Sequence, residues 1–355
     1  MKSPSVILSY PTLPNAIKGK VSLQRGLSLI ELMISITIGL LILASLSTLF
    51  ANQTRTRTEL DKSNRMIDNG RYALETLSSD LRMAGYYGEF TPSSGVPSIP
   101  AVLPDPCALV PANIAAALQL HIQGYDATNP TSSIASPPCS FTNSPGNERS
   151  LKAGSDIVVI RRVSTATPIV AGVALNNVIY LQASLCEFDP TPFAISNTTA
   201  SFTLRTSQCT QSSAGPLANL RNMLVHVYFV SPDNNFSQRD GIPTLKRLEL
   251  DPATQNFVVR PLVEGIEHLQ IEYGLDADGD GVADSYIPAP GVTNWPNVVA
   301  VKVNILARNN ESTKGYNDTK TYSLGLAGTT APGGPYKRHA YTQFIRLVNP
   351  AGRRE

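Results

Sequence analysis

The chain has 355 residues, 42% of them hydrophobic and only 16% charged, which excludes a disordered polyelectrolyte and calls for a folded body of one large or two modest domains. The formal net charge of +2 belongs to the N-terminus. The first 26 residues carry Lys2, Lys18, Lys20 and Arg25 and no acid, and without them 25 Lys and Arg stand against 27 Asp and Glu. No nucleic acid held by bulk charge is therefore expected as a partner.

The first element in chain order is the apolar run LSLIELMISITIGLLILASLSTLF, Leu27 to Phe50, long enough to cross a bilayer as a helix. Lys18, Lys20 and Arg25 precede it, so the leader is expected to stay cytoplasmic and the body to be exported. A cleaved signal peptide would show a shorter run and a small-x-small site, of which Leu49 to Ala51 is a poor version. Glu31 is the one charge in the run. A carboxylate inside a membrane costs ~3 kcal/mol and marks a functional position by default.

Beyond the run the pattern becomes one-sided. Leu60, Ile67, Leu74 and Leu81 recur every seven residues, reinforced by Leu77, with Arg55, Arg57, Glu59, Asp61, Lys62, Arg65 and Asp68 between them. That spacing predicts an amphipathic helix laying one face on a globular body. No proline lies between Pro14 and Pro92, so one helix is expected from Leu27 to a closing glycine at Gly85, about 85–90 Å long at ~1.5 Å per residue. Gly39 is a mild local weakness, costing about 1 kcal/mol relative to Ala.

Residues 91–150 are rich in Pro, Ser, Ala and Asn and read as an elaborated loop with one short helix within Pro111–Ile122. Cys107, Cys139, Cys186 and Cys209 form no CxxC. In an exported body an even count points to disulfides. Three pairings are possible, and neighbour pairing, Cys107–Cys139 with Cys186–Cys209, is the simplest.

From Asp156 the chain turns to β. Expected strands are Asp156–Val163, Asn177–Gln182, Ser201–Arg205, Met223–Val230, Thr244–Leu250, Phe257–Pro261, Ile266–Tyr273, Asn297–Arg308, Thr319–Ser323 and Thr342–Val348. In the clearest, Val299, Val301, Val303 and Ile305 alternate with Ala300, Lys302 and Asn304, as in an antiparallel sheet with one face under the helix.

The sharpest chemical motif is Asp276-Ala-Asp278-Gly-Asp280-Gly-Val282-Ala-Asp284. Alternating hard oxygen ligands followed by a glycine turn are what a Ca²⁺ loop requires. Asp276, Asp278 and Asp280 would supply carboxylates, Val282 its carbonyl and Asp284 a ligand directly or through water, the ion acting as a structural clip. The twelfth position is Ile287, where an EF-hand has Glu; the loop more closely resembles the short Asp-x-Asp-x-Asp-Gly loops of extracellular calcium proteins. Without a cation the motif is an Asp/Gly turn. His121, His226, His268 and His339 are scattered, with no nucleophile or zinc motif around them, so catalysis is not expected; His268 reads as a sheet-surface residue. Trp295 and Tyr286, flanking the acidic loop, are expected to pack.

Arg25-Gly26-Leu-Ser-Leu-Ile-Glu31-Leu resembles the type IV prepilin leader, with Leu27 where major pilins usually carry Phe. The resemblance implies cleavage after Gly26 by a membrane peptidase, N-methylation of Leu27, and pairing of Glu31 with the N-terminal ammonium of a neighbouring subunit. Asp80-Leu-Arg-Met-Ala-Gly-Tyr86 further resembles the helix end of the PilW family of minor pilins, and the late strands and final Phe344 to Asn349 look similar. That family implies an α+β, pilin-like fold: a leader (1–26), a transmembrane and assembly helix (27–50), its amphipathic half (51–88), a loop region (89–155) and a β-rich domain (156–355). It also implies a non-catalytic minor pilin that helps prime or cap pilus assembly, with adhesion, twitching or DNA uptake downstream. Its partners would be other minor pilins, the major pilin, prepilin peptidase and the inner-membrane assembly platform. A type II secretion pseudopilin shares the leader and body plan and is the alternative.

Overall fold

The computed structural model describes residues 26, 28–92, 99, 102–108, 110–174, 178–211, 215–251 and 256–355. The leader through Arg25 and Leu27 lie outside the described residues. The chain divides into two units, Met1–Arg57 and Thr58–Glu355.

In the first unit the described backbone is the start of helix α1 (Leu29–Arg82). Its apolar window has a mean hydropathy of 2.4 and no buried residue; Leu29, Ile30, Leu41 and Phe50 are among the large side chains left exposed. The hydroxyls within the run do not break its apolar character. Ser35, Ser45 and Ser47 each donate to the carbonyl four residues back, at 2.7, 3.0 and 2.8 Å, which satisfies them inside the helix itself.

In the second unit α1 buries Met66, Gly70, Ala73, Leu77, Ser78, Asp80 and Leu81. The expected stripe is corrected at its start: Leu60 is 57% exposed, and the apolar seam begins at Met66. Ile67 and Leu74 flank the seam and pack against the core. At Gly70 an added Cβ would lie 2.2 Å from the Tyr341 ring, so the missing side chain is what lets the helix approach that strand. The helix closes with Gly85 at φ +70°, its N–H bonded to the Arg161 carbonyl at 2.9 Å.

The remaining elements are α2 (Pro111–Ala116), β1 (Ile122–Tyr125), β2 (Ile157–Val163), β3 (Tyr180–Ala183), β4 (Phe193–Ser196), β5 (Leu220–Ser231), β6 (Thr244–Asp251), β7 (Asn256–Glu264), β8 (Ile266–Leu275), β9 (Ser285–Ile287), β10 (Val298–Arg308), β11 (Tyr322–Ser323), β12 (Thr329–Thr330), β13 (Arg338–Arg346) and α3 (Val348–Gly352). All pairings between these strands are antiparallel. The twelve-residue β5 is the trunk of a seven-stranded sheet, pairing with β2, with β3 and with β6. A four-stranded sheet has the order β13-β10-β8-β9, and β11-β12 is a small hairpin. The core joins Leu77 and Leu81 of α1 to Val158 and Ile160 of β2 and to Leu269, Ile271, Val301, Val303 and Ile305 of the second sheet. The architecture is α+β, a long helix whose body half packs on antiparallel sheets.

Several elements depart from expectation. One sheet was expected, and two large ones form because Gly265, at φ +76°, turns the chain between β7 and β8. Ala300 and Asn304 are buried as well as Val301 and Val303: Asn304 lies against Gly325 of the 309–337 excursion, whose Tyr322 and Leu324 pack with Leu306, while Ala300 lies beside Gly274, with Ala283 and Tyr286 close by. Ser201–Arg205 is not a strand. Thr199–Ser201 is a 3-10 turn and Arg205 makes one isolated bridge to Leu217. Thr319–Ser323 shrinks to Tyr322–Ser323, while β1, β4, β9 and β12 were not anticipated. His268 is buried, 5% exposed, with Nδ1 2.9 Å from the Gly154 carbonyl; the reading of it as a surface residue fails because the 154–156 segment lies against β8. Trp295 is buried edge-on against Tyr273, and Tyr286 packs on Phe344.

Cys107–Cys139 and Cys186–Cys209 are bonded, with Cα atoms 5.2 and 5.8 Å apart, which is the neighbour pairing.

Candidate functional site

The start of α1 carries a reciprocal cap. The Glu31 N–H donates to Ser28 Oγ at 3.2 Å and the Ser28 N–H donates to Glu31 Oε2 at 3.4 Å. This Ser-x-x-Glu box satisfies two of the four donors that a helix start leaves unpaired. It also keeps the carboxylate at the positive end of the helix dipole. Gly26, Ser28 and Glu31 are exposed. An ionised carboxylate here is available to an external cation, and in hydrocarbon it is tolerable only with one.

The acidic loop joins β8 to β9 and is built around Asp276, whose side chain is fully buried. Its carboxylate accepts from the N–H groups of Gly279 at 2.6 Å and Gly281 at 3.0 Å, and from the Arg354 guanidinium at 3.1 Å. Gly279 and Gly281 sit at φ +86° and +80°, a conformation that only glycine adopts at no cost. Burial pushes the Asp276 carboxyl up, but the two backbone donors and Arg354 outweigh it and hold it below the usual range. Asp284 accepts from the Ala277 N–H at 2.7 Å, and Asp280 from the Val282 N–H at 2.8 Å. One oxygen each of Asp276, Asp278 and Asp284 lies within 4.8 Å of the others. Asp280 is not in that group, and the Val282 side chain is exposed. Three hard oxygens so placed suit a Ca²⁺ ion, with Arg354 already sharing the innermost carboxylate.

A third charged site was not anticipated from the sequence. Asp80, 6% exposed, accepts from Arg162 Nε at 2.7 Å, from His226 Nδ1 at 2.6 Å and from the Tyr228 hydroxyl at 2.8 Å. Arg247 pairs with Glu249 beside this group. Burial alone would raise the Asp80 carboxyl; the bond from His226 and the charge of Arg162 overcome it and hold it well below the usual carboxylate range. The available signal was an acid beside Leu77 and Leu81 on the apolar seam, where an unpaired charge is not tolerated. The C-terminus secures the same helix end: Asn349 Nδ2 donates to the Ala84 carbonyl at 3.2 Å and Arg353 to that of Gly85 at 3.0 Å.

Residues 227–349, from β5 into α3, match the family profile of the type IV pilus-assembly protein PilW, and residues 21–47 match the prokaryotic N-terminal methylation motif. The two matches are those of a PilW-family pilin with a prepilin-type signal. No curated protein matches the chain. In this chain the methylation match spans Gly26, Leu27 and Glu31, and the PilW match spans the acidic loop and Tyr228. Asp80, Arg162 and His226, the rest of the buried charged group, lie outside both. Two further buried histidines, His268 and His121, are engaged with backbone instead: His268 Nδ1 with the Gly154 carbonyl, and His121 Nε2 at 2.7 Å from the Val298 carbonyl, where burial pushes its ring down to about 4.

Proposed function

We propose that this pilin is a minor, non-catalytic subunit of a type IV pilus that helps prime or cap assembly, held by α1 in the inner membrane beforehand. The carrying observation is Glu31, the one charge in the apolar run, standing at the start of α1 inside the methylation match. A peptidase cut after Gly26 would free the Leu27 amine for methylation. When apolar helices bundle, Glu31 needs a cation, and the ammonium of a neighbouring subunit supplies one and fixes the axial register. Other minor pilins, the major pilin and the assembly platform are the partners this reading requires. The acidic loop is read as a calcium clip held by Asp276, Asp278 and Asp284, in support of the body rather than of any chemistry.

The test is incorporation of Glu31→Gln into sheared filaments. The variant should still be processed, while its amount in filaments falls at least tenfold, equivalent to about 1.4 kcal/mol of pairing energy. Wild-type incorporation would overturn the role of Glu31.

A further inference from the structure

The excursion 309–337 between β10 and β13 is fastened at two places of opposite character. Its far part is embedded. Tyr322 and Leu324 pack on Leu306, and Asp318 accepts from the buried Arg338 at 3.0 Å, which also holds Glu267 at 2.5 Å. Its near part, 311–313, instead reaches α1 through polar contacts. Thr313 Oγ1 donates to Glu59 Oε2 at 2.6 Å. Lys337 Nζ is 3.1 Å from the same oxygen, and Lys62 Nζ lies 3.2 Å from Glu59, 3.6 Å from Glu311 and 3.1 Å from the Ser312 carbonyl.

The helix turns under this contact have no apolar hold of their own. No residue of 58–65 is buried, and the first buried side chain is Met66. A polar cleft of about 220 Å³, lined by Lys62, Arg65, Asn69, Glu264 and Arg308 among others, lies beside them. A segment held by ion pairs next to a wettable cleft is the kind that opens locally while the core stays closed.

We propose that residues 311–313 are a releasable clip. They hold the first two turns of α1 in the body, residues 58–65, and competing charge frees those turns without unfolding the sheets. Opening adds about 12 Å to the helix not bound to the body, at ~1.5 Å per residue. Screening by salt weakens the pairs, whereas the seam from Met66 onward is insensitive to it. The inference rests on the contacts alone and does not need the pilus reading.

Hydrogen exchange of the full chain in detergent micelles tests it, comparing low salt with ~0.5 M NaCl and wild type with Glu59→Gln. Exchange in 309–316, where the Asn309 and Thr313 N–H groups bond the Lys337 and Pro335 carbonyls, should rise at least about fivefold in both comparisons, with β5 and β10 unchanged. Equal exchange under all conditions would overturn the clip. So would a rise shared by β5 and β10, since these turns would then open only with the whole fold. The salt arm uses the unaltered protein, so misfolding of the variant cannot hide the answer.

Discussion

Asp80 and Asp276 are both buried carboxylates held by an arginine, yet they are built in opposite ways. Asp276 is served by N–H groups three and five residues ahead, so a short stretch of chain makes most of its site. Asp80 is served by His226 and Tyr228, 146 and 148 residues away, and by Arg162 on a different strand. A local carboxylate organises its own loop. A non-local one ties the end of a helix to two strands, and its loss is felt by the whole body.

The largest effect expected from this contrast is at Asp80. Asp80→Ala leaves Arg162 without its buried partner and should cost about 3–5 kcal/mol in unfolding free energy, measured by denaturant titration. A cost under ~1 kcal/mol, typical of an exposed pair, would erase the distinction between the two sites.

Acid sharpens the comparison next. A carboxyl held low in the folded state contributes stability that is fully present above its ordinary value of about 3.9 and is lost as pH falls through the folded value. Asp80, facing His226 and Tyr228 of β5 and Arg162 of β2, with Arg247 of β6 on Tyr228, therefore adds nothing to the slope between pH 7 and 5. It makes the protein less stable below about pH 4. Asp80→Asn should flatten the acid limb relative to wild type, and an identical limb would contradict the assigned direction.

The smallest effect belongs to the loop. At 10-fold excess over a dissociation constant on the order of 1 mM, calcium should add about 1.4 kcal/mol, or ~3 °C in the melting temperature. Asp278→Asn should reduce that shift. No shift in the wild type would leave Arg354 as the only cation the loop uses.

What was legible in the sequence follows the same division. Glu31 stood out because one charge in an apolar run is costly wherever it occurs, and the acidic loop because its ligands are consecutive. The helix end at Gly85 was legible for the same local reason. Asp80 was legible only as part of a family-like run, since its partners lie on strands whose register no local pattern gives. Leu60 was placed on the seam by its seven-residue spacing, but the body reaches the helix only from Met66, with polar contacts before it. The second face of β10 was misjudged because residues that cover part of it, Tyr322 and Leu324, belong to an excursion with almost no periodicity.

The central claim, that this is a processed pilin subunit working through the start of α1, is tested most directly by the mass of its N-terminal peptide. The peptide should be read from membranes of cells with and without prepilin peptidase. A peptide beginning at methylated Leu27, absent without the peptidase, is the predicted result. An intact leader in both strains, or a cut near Ala51, would contradict it and remove the basis for assembly through Glu31.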